Sequence, residues 1–196
     1  MIEPDLELLS KLKARYGEAQ RAYHTWAHIE ALLSHFHDLS DHMHDKTRVL
    51  WALYWHDVVY DPTRGDNEAV SADMLRADGK DLIPDETLEE AAIIIEATAK
   101  HQLPESLTHK ALSDAAVFLD MDLSILAART DVFDAYEEHI RFEYSFVPIE
   151  AYTAARANIL KGFLTREHLY FTDICRDKWE TKARVNLARS IARLEA

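Results

Sequence analysis

The sequence predicts an all-α protein, on three observations. Gly and Pro number only four and five in 196 residues, too few to punctuate a strand-and-turn protein. Apolar residues recur at three- and four-residue spacing, the period of a helix with one buried face. Helix-starting and helix-stopping residues fall between these periodic stretches. With 48% apolar residues, the chain can bury a core as one domain, 1–196, without covalent staples.

The elements follow in order. Pro4-Asp5 opens a helix over 5–16 that carries Leu8, Leu9 and Leu12. The next, over 24–38, has Leu32, Leu33 and Phe36 as its stripe, and a third, over 45–57, carries Val49, Leu50, Ala52 and Leu53. It ends by Asp61, because the residue before Pro62 is disfavoured in the α region. Thr63-Arg64-Gly65-Asp66 reads as a turn, with Asp66 or Asn67 capping a helix over 67–77. Helices follow over 85–101 and 109–119, a short one over 123–128, then 130–145 and 148–164, with Pro148 suited to a first turn. The last, over 177–195, aligns Trp179, Ala183, Leu187, Ile191 and Leu194 on one stripe. No repeat, linker or low-complexity segment interrupts the series.

Charge narrows the function. Asp and Glu outnumber Lys and Arg by 35 to 22, and the net charge of −13 is spread along the whole chain. Such a field repels a nucleic-acid backbone, so no nucleic-acid partner is expected. No apolar run is long enough to span a bilayer, so no membrane partner is expected. The single Cys175 excludes an internal disulfide, and residues 1–5 lack a basic-then-apolar leader, so the expected location is cytoplasmic. A small phosphorylated molecule remains compatible, because one metal ion and a few arginines invert the potential locally. A homodimer is left open.

The eleven histidines carry the chemistry. His28 lies four residues before Leu32 and eight before Phe36, while His56 lies three after Leu53 and seven after Val49, so both face the core. A buried polar group without a partner costs about 1–3 kcal/mol. Asp57 follows His56 directly, and a carboxylate beside buried imidazoles is tolerable where a cation sits among them. Taken singly, each has an ordinary reading: a core histidine bonded to a carbonyl, or a chance His-Asp pair. His35, His37, His42 and His44 read as an exposed helix end and loop. His101 shares a helical face with Ile94 and Thr98, and His24 precedes His28 by one turn.

Three segments, Tyr23-His24-Thr25-Trp26-Ala27-His28, Ala52-Leu53-Tyr54-Trp55-His56-Asp57-Val58-Val59-Tyr60-Asp61-Pro62 and Asp66-Asn67-Glu68-Ala69-Val70-Ser71-Ala72, resemble the HD-domain superfamily of metal-dependent phosphohydrolases. Within it, the chain is similar to the branch of predicted phosphohydrolases whose substrate is unassigned. Thr98-Ala99-Lys100-His101 and Asp120-Met121-Asp122-Leu123 fall where that family has its second histidine region and final aspartate. The resemblance implies an HD-type helical domain, with a metal-site core over about 20–128 and C-terminal helices over about 130–195. It also implies one divalent ion (Mn, Fe, Co, Zn or Mg) on His28, His56, Asp57 and Asp122. Asp122 is preferred to Asp120 because Leu123-Ser124-Ile125-Leu126 follows it as the family's short helix; Asp120 then reads as a helix or turn cap.

The implied reaction is hydrolysis of a phosphoester or phosphoanhydride, with a nucleotide as the expected substrate class. Glu68 would activate the water, with Asp61 competing for that role. In helical terms, Glu68 is also a first-turn acid, and Asp61 a turn or capping residue before Pro62. Arg64, Arg141 and His101 are the candidates to hold the phosphate, although Arg141 equally suits an ion pair with Glu143. His24 is a candidate to hydrogen-bond a ligand or substrate. Three other readings compete: a nucleotide-binding sensor that keeps the metal without turnover, a di-iron oxygenase, and a purely structural helical protein.

Overall fold

Side chains that accept backbone N–H groups start several of the helices. Asp5 accepts from Leu8 N at 2.8 Å and opens α1 (Leu6–Tyr16). Asp45 accepts from Thr47 N at 2.8 Å and Arg48 N at 3.2 Å and opens α3 (Lys46–Trp55). Thr172 accepts from Cys175 N at 3.4 Å and opens α9 (Asp173–Leu194). Each bond satisfies a donor that a helix start otherwise leaves orphaned. The others are α2 (Trp26–Leu39), α4 (Asn67–Gly79), α5 (Asp85–Thr98), α6 (His109–Asp122), α7 (Thr130–Glu143) and α8 (Ile149–Leu164). The computed structural model describes residues 1–196, nine α-helices and no strand. The all-α expectation holds.

Several boundaries move. The last helix begins at Asp173, not 177, because Thr172 is its cap. α5 stops at Thr98, and α6 runs on to Asp122, followed by a 3-10 helix over Leu123–Ala127. Asp66 precedes α4 without capping it. Its carboxylate pairs instead with Arg64, 2.8 Å from both Nε and Nη2. No helix is long and apolar enough to cross a membrane.

The chain forms two compact units, Met1–Met121 and Asp122–Ala196. In the first, α3 packs against α2, α4 and α5, and α4 against α5. Val49, Trp51, Ala52, Leu53 and Trp55 are all fully buried, so α3 is apolar almost all round, as a central helix must be. Trp51 and Trp55 stack in parallel at 4.8 Å. Gly79 closes α4 where a Cβ would lie 2.6 Å from Leu88 Cδ1 and 3.2 Å from the Trp51 ring, so only glycine fits without a shift.

The second unit holds the 3-10 helix and α7–α9. α9 packs on the 3-10 helix and on α8. The stripe expected of the last helix is present, with Trp179, Ala183, Leu187 and Ile191 buried and Leu194 at its half-exposed end. Asn186 donates to the carbonyls of Leu126 and Ala128, both at 2.9 Å, and Tyr170 donates to Leu123 O at 3.1 Å.

A buried charge cluster ties the first unit together. Arg48 pairs with Glu90 through Nε at 2.9 Å and with Asp114 through Nη1. Asp114, fully buried, also accepts from His44 N at 2.7 Å and Asp45 N at 2.9 Å. The Asp114 carboxylate on α6 therefore holds both the start of α3 and its first arginine. Asp114→Ala is expected to lower stability by about 3–5 kcal/mol, because it leaves the buried Arg48 charge short of a partner and strands two part-buried backbone donors. Urea unfolding checks this: the midpoint falls at unchanged slope, and an unmoved midpoint would show the cluster to be dispensable.

Candidate metal centre

His28 sits in the first turn of α2, on the face that carries the buried Ile29 and Leu32. His56 follows the last residue of α3 and is 1% exposed. Its Nδ1 lies 2.9 Å from Leu53 O. A carbonyl only accepts, so this contact assigns the proton to Nδ1 and leaves Nε2 as a lone pair. That lone pair lies 3.2 Å from His28 Nε2 and 2.9 Å from Asp57 Oδ2. The His28 Nε2 to Asp57 Oδ2 distance is 3.9 Å. Asp122 closes α6, and one ligand atom each of His28, His56 and Asp122 lie within 4.8 Å of one another.

A His28 Nε2–H donates to the His56 Nε2 lone pair in one tautomer, whereas that lone pair facing the Asp57 carboxylate at 2.9 Å calls for a proton or other positive charge between them. A proton on His56 Nε2 relieves one contact; a cation bonded to several atoms relieves all of them. The spacing fits. Ligand atoms about 2.1 Å from an ion stand about 3.0 Å apart along an octahedral edge and about 3.4 Å along a tetrahedral one. The group whose atoms lie close enough to share an ion is His28, His56 and Asp122, two imidazoles and a carboxylate, a donor set for a first-row divalent ion; Asp57 is near both histidines but not part of that group. The site also opens on one side, since the Asp57 side chain is 18% exposed where His28 is 4%.

The turn that presents His56 and Asp57 is held by a segment the sequence reading passed over. Arg21, its side chain wholly buried, donates from Nη1 to His24 O at 3.0 Å and to Asp57 O at 2.7 Å, and from Nη2 to Val58 O at 3.0 Å. Its Nε faces Glu18, and the rings of Tyr16 and Tyr60 lie 5.1 and 5.5 Å from the guanidinium. The Tyr16 hydroxyl donates to Tyr54 O at 3.0 Å and accepts from Asp57 N at 3.3 Å. Gln20 donates to Tyr60 O at 3.2 Å. Residues 16–24 thus act as a strap over 54–60. No periodicity marks Arg21, which lies between helices; its place just ahead of the Tyr23–His28 segment was the available signal.

The other candidates fare differently. His24 lies outside α2 but remains close, stacked on Tyr60 at 4.0 Å and edge-on to His28 at 6.4 Å. Glu68 is half-buried in the first turn of α4, and Ser71 of that helix accepts from Val59 N at 3.1 Å, just past Asp57. Asp61 is taken by the turn: Thr63 donates to its carboxylate from Oγ1 at 2.7 Å and from N at 2.9 Å. Those two bonds, the hydroxyl's first, hold its pKa below the usual carboxylate value, which disfavours a role as base. Arg64 is exposed and bidentate on Asp66. Arg141 does not pair with Glu143; it donates to Tyr144 O at 2.8 Å and Val147 O at 3.0 Å. His101 is not on a helical face: α5 has already ended, and its φ of 45° places it in a left-handed turn. Asp120 is not a cap but a fully buried residue within α6.

No family model, curated protein or solved structure matches this chain.

Arg21→Met keeps the apolar stem and removes the donors that hold the Asp57 turn. Its affinity for Co²⁺, followed by optical titration, is expected to fall at least about tenfold, the usual effect of losing a group that orients a ligand. Unchanged affinity in a folded variant would release Arg21 from any part in the site.

Proposed function

We propose that this protein is a metal-dependent phosphohydrolase of the HD type, acting on a small phosphorylated molecule, with a nucleotide as the favoured substrate class. One observation carries the reading: a ring nitrogen of His28, a ring nitrogen of His56 and a carboxylate oxygen of Asp57 converge at 2.9–3.9 Å, with His56 Nδ1 already facing a carbonyl. The ordered resemblance of the His28, His56-Asp57 and Asp122 segments supports the same assignment.

His28, His56, Asp57 and Asp122 hold the ion. A divalent ion bound there supplies an acidified water and neutralises charge on phosphoryl oxygens. Asp57, the more exposed member, marks the side from which substrate enters. Glu68 orients the attacking water and takes its proton, since Asp61 is bound into its turn. His24, stacked beside His28, lines the approach. The single buried Cys175 accords with a cytoplasmic location.

Elemental analysis of gently purified protein is expected to find about one divalent ion per chain, lost in both His56→Ala and Asp57→Ala. No ion after incubation with manganese, iron, cobalt or zinc would refute the reading. In a nucleotide-phosphatase assay with that metal, Glu68→Gln is expected to lower kcat by about 10²–10⁴-fold while the metal stays bound. A kcat within threefold of the parent would remove Glu68 from catalysis.

A further inference from the structure

Residues 57–61 carry the chain from the His56-Asp57 pair toward α4, outside any helix, and two partners divide their backbone groups. The strap over 16–24 takes Asp57, Val58 and Tyr60, through Tyr16, Arg21 and Gln20. α4 takes the other two. The Asn67 side chain, at the first position of that helix, accepts from Asp61 N at 3.0 Å and donates to Asp61 O at 2.9 Å. One turn later, the Ser71 hydroxyl accepts from Val59 N at 3.1 Å and donates to Val59 O at 3.3 Å.

An amide that returns both bonds of one residue's backbone copies the pairing of a neighbouring strand. The spacing suits it: two residues of chain reach at most about 7 Å, and four residues of helix rise about 6 Å. Asn67 and Ser71 therefore stay in step with Asp61 and Val59. Residues 63–66, which join the two stretches, are exposed. What seats the start of α4 on this segment is the Asn67 amide, with the fully buried Ser71 behind it.

We propose that Asn67 is a positioning residue: its two bonds to Asp61 fix α4 to the Asp57 turn and so hold Glu68 in register with the metal ligands. This rests on the phosphohydrolase reading and deepens it. Glu68 is the next residue on α4, half-buried in its first turn, so a slip of Asn67 carries it along. Asp57 lies four residues before Asp61, on a segment bonded at every residue, so the same slip reaches the turn that presents it. Both polar atoms of the Asn67 side chain face Asp61, so it acts through its neighbours.

The test compares the full parent chain with Asn67→Ala and with Asn67→Asp, which keeps the acceptor for Asp61 N and loses the donor. Amide hydrogen exchange is followed first, without metal. The Asp57 N–H, bonded to Tyr16 and not to α4, is expected to exchange about tenfold faster in Asn67→Ala, while the amides of 50–53 in α3 keep parent rates. Then kcat and KM are measured at saturating Co²⁺ on p-nitrophenyl phosphate, adenosine monophosphate and adenosine triphosphate. In Asn67→Ala kcat is expected to fall at least about tenfold, and less in Asn67→Asp, with KM and Co²⁺ content near those of the parent. Parent-like exchange at Asp57 overturns the coupling, and a parent-like kcat overturns the hold on Glu68. Faster exchange throughout α3 overturns both, by showing a general loosening; if Asn67→Ala does not fold, Asn67→Asp decides by the same rates. A parent that hydrolyses none of the three compounds sinks the hydrolase reading instead, and exchange at Asp57 still decides the part of Asn67.

Discussion

The Leu53 carbonyl, 2.9 Å from His56 Nδ1, takes the one proton a neutral imidazole carries and turns the Nε2 lone pair toward His28 Nε2 and the Asp57 carboxylate. Each of those neighbours comes from a separate place in the chain: His28 from the first turn of α2, Asp57 from the residue after His56. The cost of collecting acceptors in a nearly buried spot is tolerable only with positive charge supplied there. On the proposed reading, a chain with so many carboxylates could still take an anionic substrate, because an ion bound there would reverse the sign of the local field.

Holding that arrangement is a backbone problem as much as a side-chain one. The residues after α3 have left the helix, so their carbonyls and N–H groups need partners, and the strap over 16–24 provides them. Arg21 takes the Asp57 and Val58 carbonyls, and Tyr16 takes the Asp57 N–H. Farther along, Arg48 and Asp114 lock the start of α3 to α6. Most of the buried arginines therefore serve as multivalent donors to the chain itself.

Much of this was legible in the residues. Helical period and capping chemistry located every helix, and the apolar neighbours of His28 and His56 put both on buried faces. What failed did so for local reasons. The helix over 85–101 was drawn too long because Lys100 and His101 continue its pattern, yet the chain turns left-handed at His101. The start of α9 was missed because Thr172 lies among half-exposed, aperiodic residues. Arg21 was passed over because a residue between helices belongs to no stripe, and its partners are backbone carbonyls that no side-chain pattern encodes.

The sequence by itself determined the fold class, the acidic charge pattern and the inward aim of two histidines, because these depend on period and composition, which are local. Only the tertiary structure decided which ring nitrogens and carboxylate oxygens face one another and which partners the arginines take. Those outcomes depend on where helix ends come to rest. Arg64 and Arg141 were equal candidates on paper, but each found a partner within a few residues of itself. Arg156 met Glu137 and Tyr136 only once α7 and α8 had packed. Distances between side chains on different helices are set by the packing of whole helices, and no short stretch of sequence contains them.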